Sequence, residues 1–376
     1  MEKQMQRLKR LLSEVVDLQR SAAVLAWEQQ TYMPPGGAPA RAEQLATLEG
    51  LAHRMFVTDE IGGLLSELEQ SAEDWDYDSD EASLLRFIRR RYERERRIPT
   101  DLVAELARTT ALAQEVWVRA RKAADYPMFK PHLQEVISLR RQQAECLAPY
   151  DHIYDPLLDE YEPEMKTTEV RAMFASIKDE LVELVSAISA RSDVVRDEAL
   201  RGDFDIERQR VFGLEVARKF GYDLERGRQD EAPHPFCTHF SSDDVRITTR
   251  FDSSFLPSAL FGTLHEAGHA LYEQGVAPGL ARSGMDTGIS LGVHESQSRL
   301  WENLVGRSLP FWWHFFPQLQ AAFPDALGEM DVDSFYRAIN RSAPSLIRVE
   351  ADEVTYNLHI IIRFELELDL LTGTLD

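Results

Sequence analysis

Cysteine is nearly absent from this chain of 376 residues, which carries Cys146 and Cys237 alone and has no C-x-x-C spacing. That excludes a disulfide framework and a thiolate zinc site. For Cys237, close to His234, a small buried thiol is favoured over a reactive or metal-binding role. Positive charge is also in deficit, with 42 Lys and Arg against 64 Asp and Glu and a formal charge of −22. Phosphate binding needs concentrated Lys and Arg, so nucleic acid is excluded as a partner and an anionic membrane surface is disfavoured. Long apolar runs are missing. The stretch Leu11 to Leu25 is broken by Ser13, Glu14, Asp17, Gln19, Arg20 and Ser21. Nothing reaches the length of a signal peptide or a membrane span, so the expectation is a cytoplasmic protein without membrane contact. Internal repeats and low-complexity linkers are lacking as well.

What is present is an ordinary soluble mix, 44% hydrophobic and 28% charged, long enough to bury a core without covalent staples. The first 150 residues read as long amphipathic helices, beginning with Leu8, Leu11, Leu12, Val15 and Leu18 at spacings of three and four. Met33-Pro-Pro-Gly-Gly37 interrupts them, and Ser71 to Asp80 is a polar loop. Glu81 to Arg97 is a highly charged helix; its arginines predict a solvated, ion-paired face in a chain this acidic. Thr100 is a candidate N-cap for the helix that follows. Another helix is expected from Thr168 to Arg191, and one long helix from Ser345 to Leu371.

Strand patterns are scarce. Val245, Ile247, Thr249 and Phe251 alternate with Arg246, Thr248 and Arg250, a period of two. Such a strand can be a simple hairpin, or an edge that pairs with the extended backbone of a peptide. Leu309-Pro-Phe-Trp-Trp-His-Phe-Phe316 is densely aromatic and predicts core, with His314 a satisfied core residue.

The chemistry concentrates in Phe261-Gly-Thr-Leu-His-Glu-Ala-Gly-His-Ala-Leu-Tyr-Glu-Gln-Gly275, where His265, Glu266 and His269 spell H-E-x-x-H. Pro257 suits a first turn, Leu260, Leu264, Ala267 and Leu271 recur at helical spacing, and Gly275 with Pro278 is a stop signal. On a helix, His265 and His269 lie one turn apart on one face. They can share one zinc ion, with Glu266 beside them to polarise a water. Glu295, 26 positions after His269, is the candidate third ligand, on a second helix read from Ser290 to Trp301. Three protein ligands leave the fourth position open, which marks a catalytic rather than a structural zinc. Cobalt or manganese could replace it.

These motifs do not stand alone. Trp27-Glu-Gln-Gln-Thr-Tyr-Met-Pro-Pro-Gly-Gly37, Arg41-Ala-Glu-Gln-Leu45, His234-Pro-Phe236, Asp244-Val-Arg-Ile-Thr248, His294-Glu-Ser-Gln297 and Ile347-Arg-Val-Glu-Ala-Asp352 flank the zinc helix. In that order the chain resembles the carboxypeptidase Taq family of thermostable metallocarboxypeptidases. The family carries a further G-x-x-Q-D-x-H-W block, which these residues do not contain, so the chain resembles a member lacking its last portion. The resemblance implies a mainly α, helical zinc-peptidase fold with a deep cleft and a small antiparallel sheet next to the H-E-x-x-H helix. It implies one catalytic domain over residues 1–376, with residues 1–160 as a helical cleft wall and 161–376 as the metal-binding region. It also implies peptide substrates and a homodimer.

The expected activity is metallocarboxypeptidase, removing C-terminal residues from peptides, with Glu266 as general base. Arg348 lies four residues from Asp352, so it is either an intrahelical ion pair or a fork that grips the substrate's terminal carboxylate. The resemblance favours the second, and it favours substrate contact for Arg246 and His234. Two other readings stay open: a zinc endopeptidase or oligopeptidase, and an inactive metal-binding remnant without the last block.

Overall fold

The structure, a computed structural model, describes residues 1–72 and 74–375. It divides into two compact units, one of Met1–Glu160 with Thr238–Val245 and Gly275–Ile289, the other of Tyr161–Cys237, Arg246–Gln274 and Ser290–Asp376. Among the described residues no helix is long and apolar enough to cross a membrane.

The first unit is built from helices α1 (Glu2–Thr31), α2 (Ala38–Phe56), α3 (Asp59–Ser71), α4 (Asp80–Glu95), α5 (Thr100–Ala123), α6 (Tyr126–Cys146) and the short α7 (Asp155–Leu158). The spacing of Leu8, Leu12 and Val15 puts them on one face of α1. They pack there with Phe56, Ile61, Leu65, Leu84 and Ile88. Burying each such side chain contributes about 1.5–3 kcal/mol. The arginines of α4 mostly face water and carboxylates, as their pattern predicts; Arg89 pairs with Glu69 at 2.7 Å and Arg94 with Asp159 at 3.3 Å. Thr100 does not cap α5. Its hydroxyl is 2.9 Å from Nδ1 of His53, and the cap position falls to Pro99.

The second unit carries α8 (Thr167–Ser189), α9 (Ile206–Phe220), α10 (Leu256–Gln274), α11 (Leu291–Arg299), α12 (Leu309–Ala322), α13 (Pro324–Leu327), α14 (Val332–Ile339) and α15 (Tyr356–Thr372). Its core joins Leu256, Leu260 and Leu264 of α10 to Phe311, Trp312, Phe315 and Phe316 of α12. The aromatic run is therefore core on one face only. His314 is exposed on the other, because consecutive helical residues point in different directions.

Strands β1 (Gly227–Glu231), β2 (Cys237–Ser241) and β3 (Asp244–Thr249) form one sheet in the order β1-β3-β2. The sheet lies against α10, where the Thr249 hydroxyl donates to the carbonyl of Ala259 and Gln229 donates to the Thr263 hydroxyl at 2.8 Å. The small sheet expected next to the H-E-x-x-H helix is present, and it is mixed rather than antiparallel throughout. The β2–β3 hairpin is antiparallel, but β1 joins a mixed sheet, its end meeting the end of β3 through the Ala232 N–H to Thr249 carbonyl bond of 3.0 Å. The polar Gly-Arg-Gln-Asp-Glu sequence of β1 has no apolar alternation to announce it.

The expected helix from Ser345 is also corrected, since α15 begins at Tyr356 and Arg348–Glu350 is a single 3₁₀ turn. The carboxylate of Asp352 is the cause. It accepts from the backbone N–H groups of Ala343, Val354 and Thr355 at 3.0–3.1 Å and from the Ser342 and Thr355 hydroxyls at 2.7 Å. Side-chain bonds to nearby backbone donors compete with the helical ladder and win here.

Candidate active site

Because Leu256, Ala259, Leu260 and Leu264 turn α10 into the core, the opposite stripe is left for chemistry. Phe261, Gly262, His265, Glu266 and His269 line a cavity of about 700 Å³ in the second unit. Gly268 decides what faces them. A Cβ there would lie 2.6 Å from Cα of Ser298, so only glycine lets α11 approach this closely. That contact brings Glu295, one turn before Ser298, to the two histidines.

Nε2 of His265 lies 3.6 Å and Nε2 of His269 lies 3.3 Å from Oε2 of Glu295. The three residues can offer donor atoms all within 4.8 Å of one another, the one such cluster among the described residues. The other ring nitrogens are occupied. Nδ1 of His265 is 2.8 Å from Oε2 of Glu302, and Nδ1 of His269 is 2.6 Å from Nδ1 of His294. Nε2 of His294 is in turn 2.7 Å from Oε1 of Glu273, which is buried. If His294 donates its Nε2–H to Glu273, its Nδ1 accepts from the Nδ1–H of His269, and His265 and His269 both keep a bare Nε2. Two bare imidazole nitrogens and a carboxylate, backed by bonded partners, are a donor set that suits a divalent transition metal.

The charges in the site bear on the same question. Burial, with the nearby carboxylates of Glu295 and Glu302 adding to it, raises Glu266 to about 7. With protons instead on the two Nε2 atoms, Glu295 is held at about 2: burial opposes this, but the bond from His269 and the charges of His265 and Arg299 outweigh it. Glu302 is also lowered against its burial, chiefly by His265 and Arg299. Burial pulls His269 down. It pulls on His265 too, but Glu302, Glu266 and Glu295 raise that ring overall. A divalent cation would relieve this crowding of acids.

Several of these groups were not singled out from sequence: Glu273, Arg299, Glu302 and Arg307. Arg299 donates to Glu295 and to Glu302, both at 3.0 Å, and Arg307 lies 3.7 Å from Glu302. A signal existed in part. Glu273 follows His269 by four, and Arg299 follows Glu295 by four, so each shares a helical face with a candidate ligand. Glu302 sits in the π-helical segment Leu300–Val305, whose widened turn no spacing rule anticipates.

His234 and Arg348 line the same cavity as His265, His269 and Glu295, and Cys237 does too. Burial, then Glu266 and Glu273, push the Cys237 thiol well up, which keeps it protonated. Arg348 does not pair with Asp352; its Nη1 donates to the Tyr356 hydroxyl at 3.1 Å, since no helix aligns the two. Arg246, on β3, is not among the cavity's lining residues.

With this geometry in place, similarity to known proteins is informative. The carboxypeptidase Taq (M32) metallopeptidase family matches residues 7–376. Thermostable carboxypeptidase 1 of Thermus thermophilus is 44% identical over 371 residues, 96% of this chain and 72% of that protein. Carboxypeptidase 1 of Bacillus subtilis is 34% identical over 357 residues, 95% of this chain and 71% of that protein. The crystal structure of the M32 carboxypeptidase from Deinococcus radiodurans R1 is 40% identical and superposes with a TM-score of 0.88, over 99% of this chain and 74% of that one.

Proposed function

Since the chain belongs to the carboxypeptidase Taq (M32) metallopeptidase family and is a metallocarboxypeptidase, we propose that it removes C-terminal residues from peptides with zinc and a glutamate base. The observation that carries this reading is the convergence of both Nε2 atoms on Glu295, at 3.6 and 3.3 Å, with Glu266 buried beside them. His265, His269 and Glu295 would hold the metal, and cobalt or manganese suit the same donors. Bound there, it supplies Lewis-acid activation of water and of the scissile carbonyl.

Glu266 takes the proton of the attacking water and returns it to the leaving amine. Burial suits it to this, because a carboxylate lifted to about 7 both accepts and gives up a proton near neutral pH. Arg348 grips the terminal carboxylate of the substrate with its planar fork, and His234 contacts the substrate beside it. Arg246 contacts substrate backbone from β3, outside this cavity. A homodimer in the cytoplasm belongs to the same reading.

Glu266→Gln tests the assignment. It should keep bound metal and lose at least a hundredfold in activity, since the amide accepts no proton. Loss of metal in step with activity would make Glu266 part of the metal's support instead.

A further inference from the structure

Seven arginines lie between Arg86 and Arg97. Six of them meet acceptors: Arg86 bonds Ser83, Arg89 Glu69, Arg90 and Arg94 Asp159, Arg96 pairs with Glu93, and Arg97 bonds the Ala148 carbonyl. Arg91 differs. Among the described residues its guanidinium has no hydrogen bond or close ion pair; it lies over the Phe56 ring, 4.7 Å from the centroid. It lines a second, open cavity of about 610 Å³ between α1, α2, α4, α5 and α6 of the first unit. Glu49 of α2 lines the same cavity and also lacks a hydrogen bond or close ion pair among the described residues. None of the residues lining this cavity lines the metal cavity.

A half-buried charge without a partner is costly, and here two of opposite sign share one space without pairing. Burial is the largest influence on both, lifting the Glu49 carboxyl and lowering Arg91, and it outweighs their mutual attraction and the pull of Glu95 on Arg91. The other charged groups in the lining have partners, Glu95 lying 3.9 Å from Nε2 of His53 and Arg140 3.8 Å from Glu160, and the remaining walls are mostly amides and apolar groups. Gln29 and Gln30 come from the Trp27–Gly37 block that the metal chemistry leaves unused, and Gln114 and Gln143 add to them. The volume falls in the range of small-molecule sites. A simple anion would meet Glu49, and a simple cation would meet Arg91. A ligand that carries both charges satisfies both, its carboxylate on the guanidinium fork and its ammonium on the carboxylate.

We propose that this cavity binds a small zwitterion, an amino acid or a molecule with its charges further apart such as a dipeptide, through Arg91 and Glu49. The chemistry of the cavity carries this assignment, independently of the reaction at the metal.

Isothermal titration calorimetry on the full chain tests it, with leucine and 6-aminohexanoate as probes of short and wide charge separation. One of the two should bind, and the better one identifies the spacing. N-acetyl-leucine and leucinamide, each lacking one charge, should bind about ten- to hundredfold more weakly than the zwitterion. Glu49→Gln and Arg91→Lys should each weaken binding to a similar degree, while Arg348→Ala leaves it unchanged. The blocked ligands need no variant, so the test survives if a substitution unfolds the protein. Absence of binding by both zwitterions overturns the proposal. So does equal binding of the blocked ligands, or binding that Arg348→Ala abolishes and Glu49→Gln does not.

Discussion

Nδ1 of His269 lies 2.6 Å from Nδ1 of His294, whose Nε2 lies 2.7 Å from Oε1 of Glu273. The second histidine of the H-E-x-x-H motif is thus held by another histidine, and the first is held by a carboxylate, Glu302, at 2.8 Å. Either partner fixes the ring with Nε2 towards Glu295. The path through His294 is the longer one and ends on a buried acid, so its loss frees one ring and removes one hydrogen bond from Glu273.

His294→Ala is therefore expected to lower metal affinity about 10–100-fold, the usual effect of removing a partner that orients a ligand. Glu295→Ala removes a donor outright and should lower it further. Competition with a chromophoric chelator measures both. Unchanged affinity in His294→Ala would make the ring contact incidental, and unchanged affinity in Glu295→Ala would remove Glu295 from the site.

Arg348 is expected to read the end of the substrate chain. A terminal carboxylate is what distinguishes an end from a middle, and Arg348 lines the metal cavity without pairing to Asp352. A hydrogen bond to a charged group contributes about 1.5–3 kcal/mol, roughly a tenfold to hundredfold preference. Arg348→Ala should shrink the rate gap between free-acid and amidated peptides by that factor while metal content holds. A gap that survives assigns the carboxylate to another group.

Asp352 anchors the turn that carries Arg348. Although burial opposes it, the bonds from Thr355, Ser342 and Ala343 hold its carboxyl below the ordinary 3.8. A depressed carboxyl adds stability above its unfolded value, and the gain is lost as pH falls through the lower folded value. Asp352→Asn should thus destabilise the protein at neutral pH by about 1 kcal/mol, a figure kept low because the group is half exposed. The melting temperatures of the two proteins should converge as pH falls below about 4. A constant difference across pH would show that shape, not charge, matters at this position.

The metal motif was legible because it depends on spacing along one helix, and β3 because Val245 and Ile247 alternate onto a buried face. Gly268 could be read as part of the motif, but the need for it comes from α11, which no spacing reveals. Glu302 and Arg307 belong to the site through a π-helical turn and tertiary contact. β1 is polar and pairs in parallel with a distant strand, so local pattern could not find it. The missing first turns of the expected helix at Ser345 have a local cause in Asp352, yet its partners Ser342 and Ala343 lie ten and nine residues away.

The central claim is that this protein is a metal-dependent exopeptidase acting at the carboxyl end. It is tested most directly by digesting one peptide as the free acid and as the C-terminal amide, with and without chelator, and following both by mass spectrometry. The account predicts a ladder of products shortened one residue at a time from the carboxyl end of the free acid, little change in the amide, and no products once the metal is removed. Internal cleavage of both peptides at similar rates, or a ladder that persists in chelator, would contradict it.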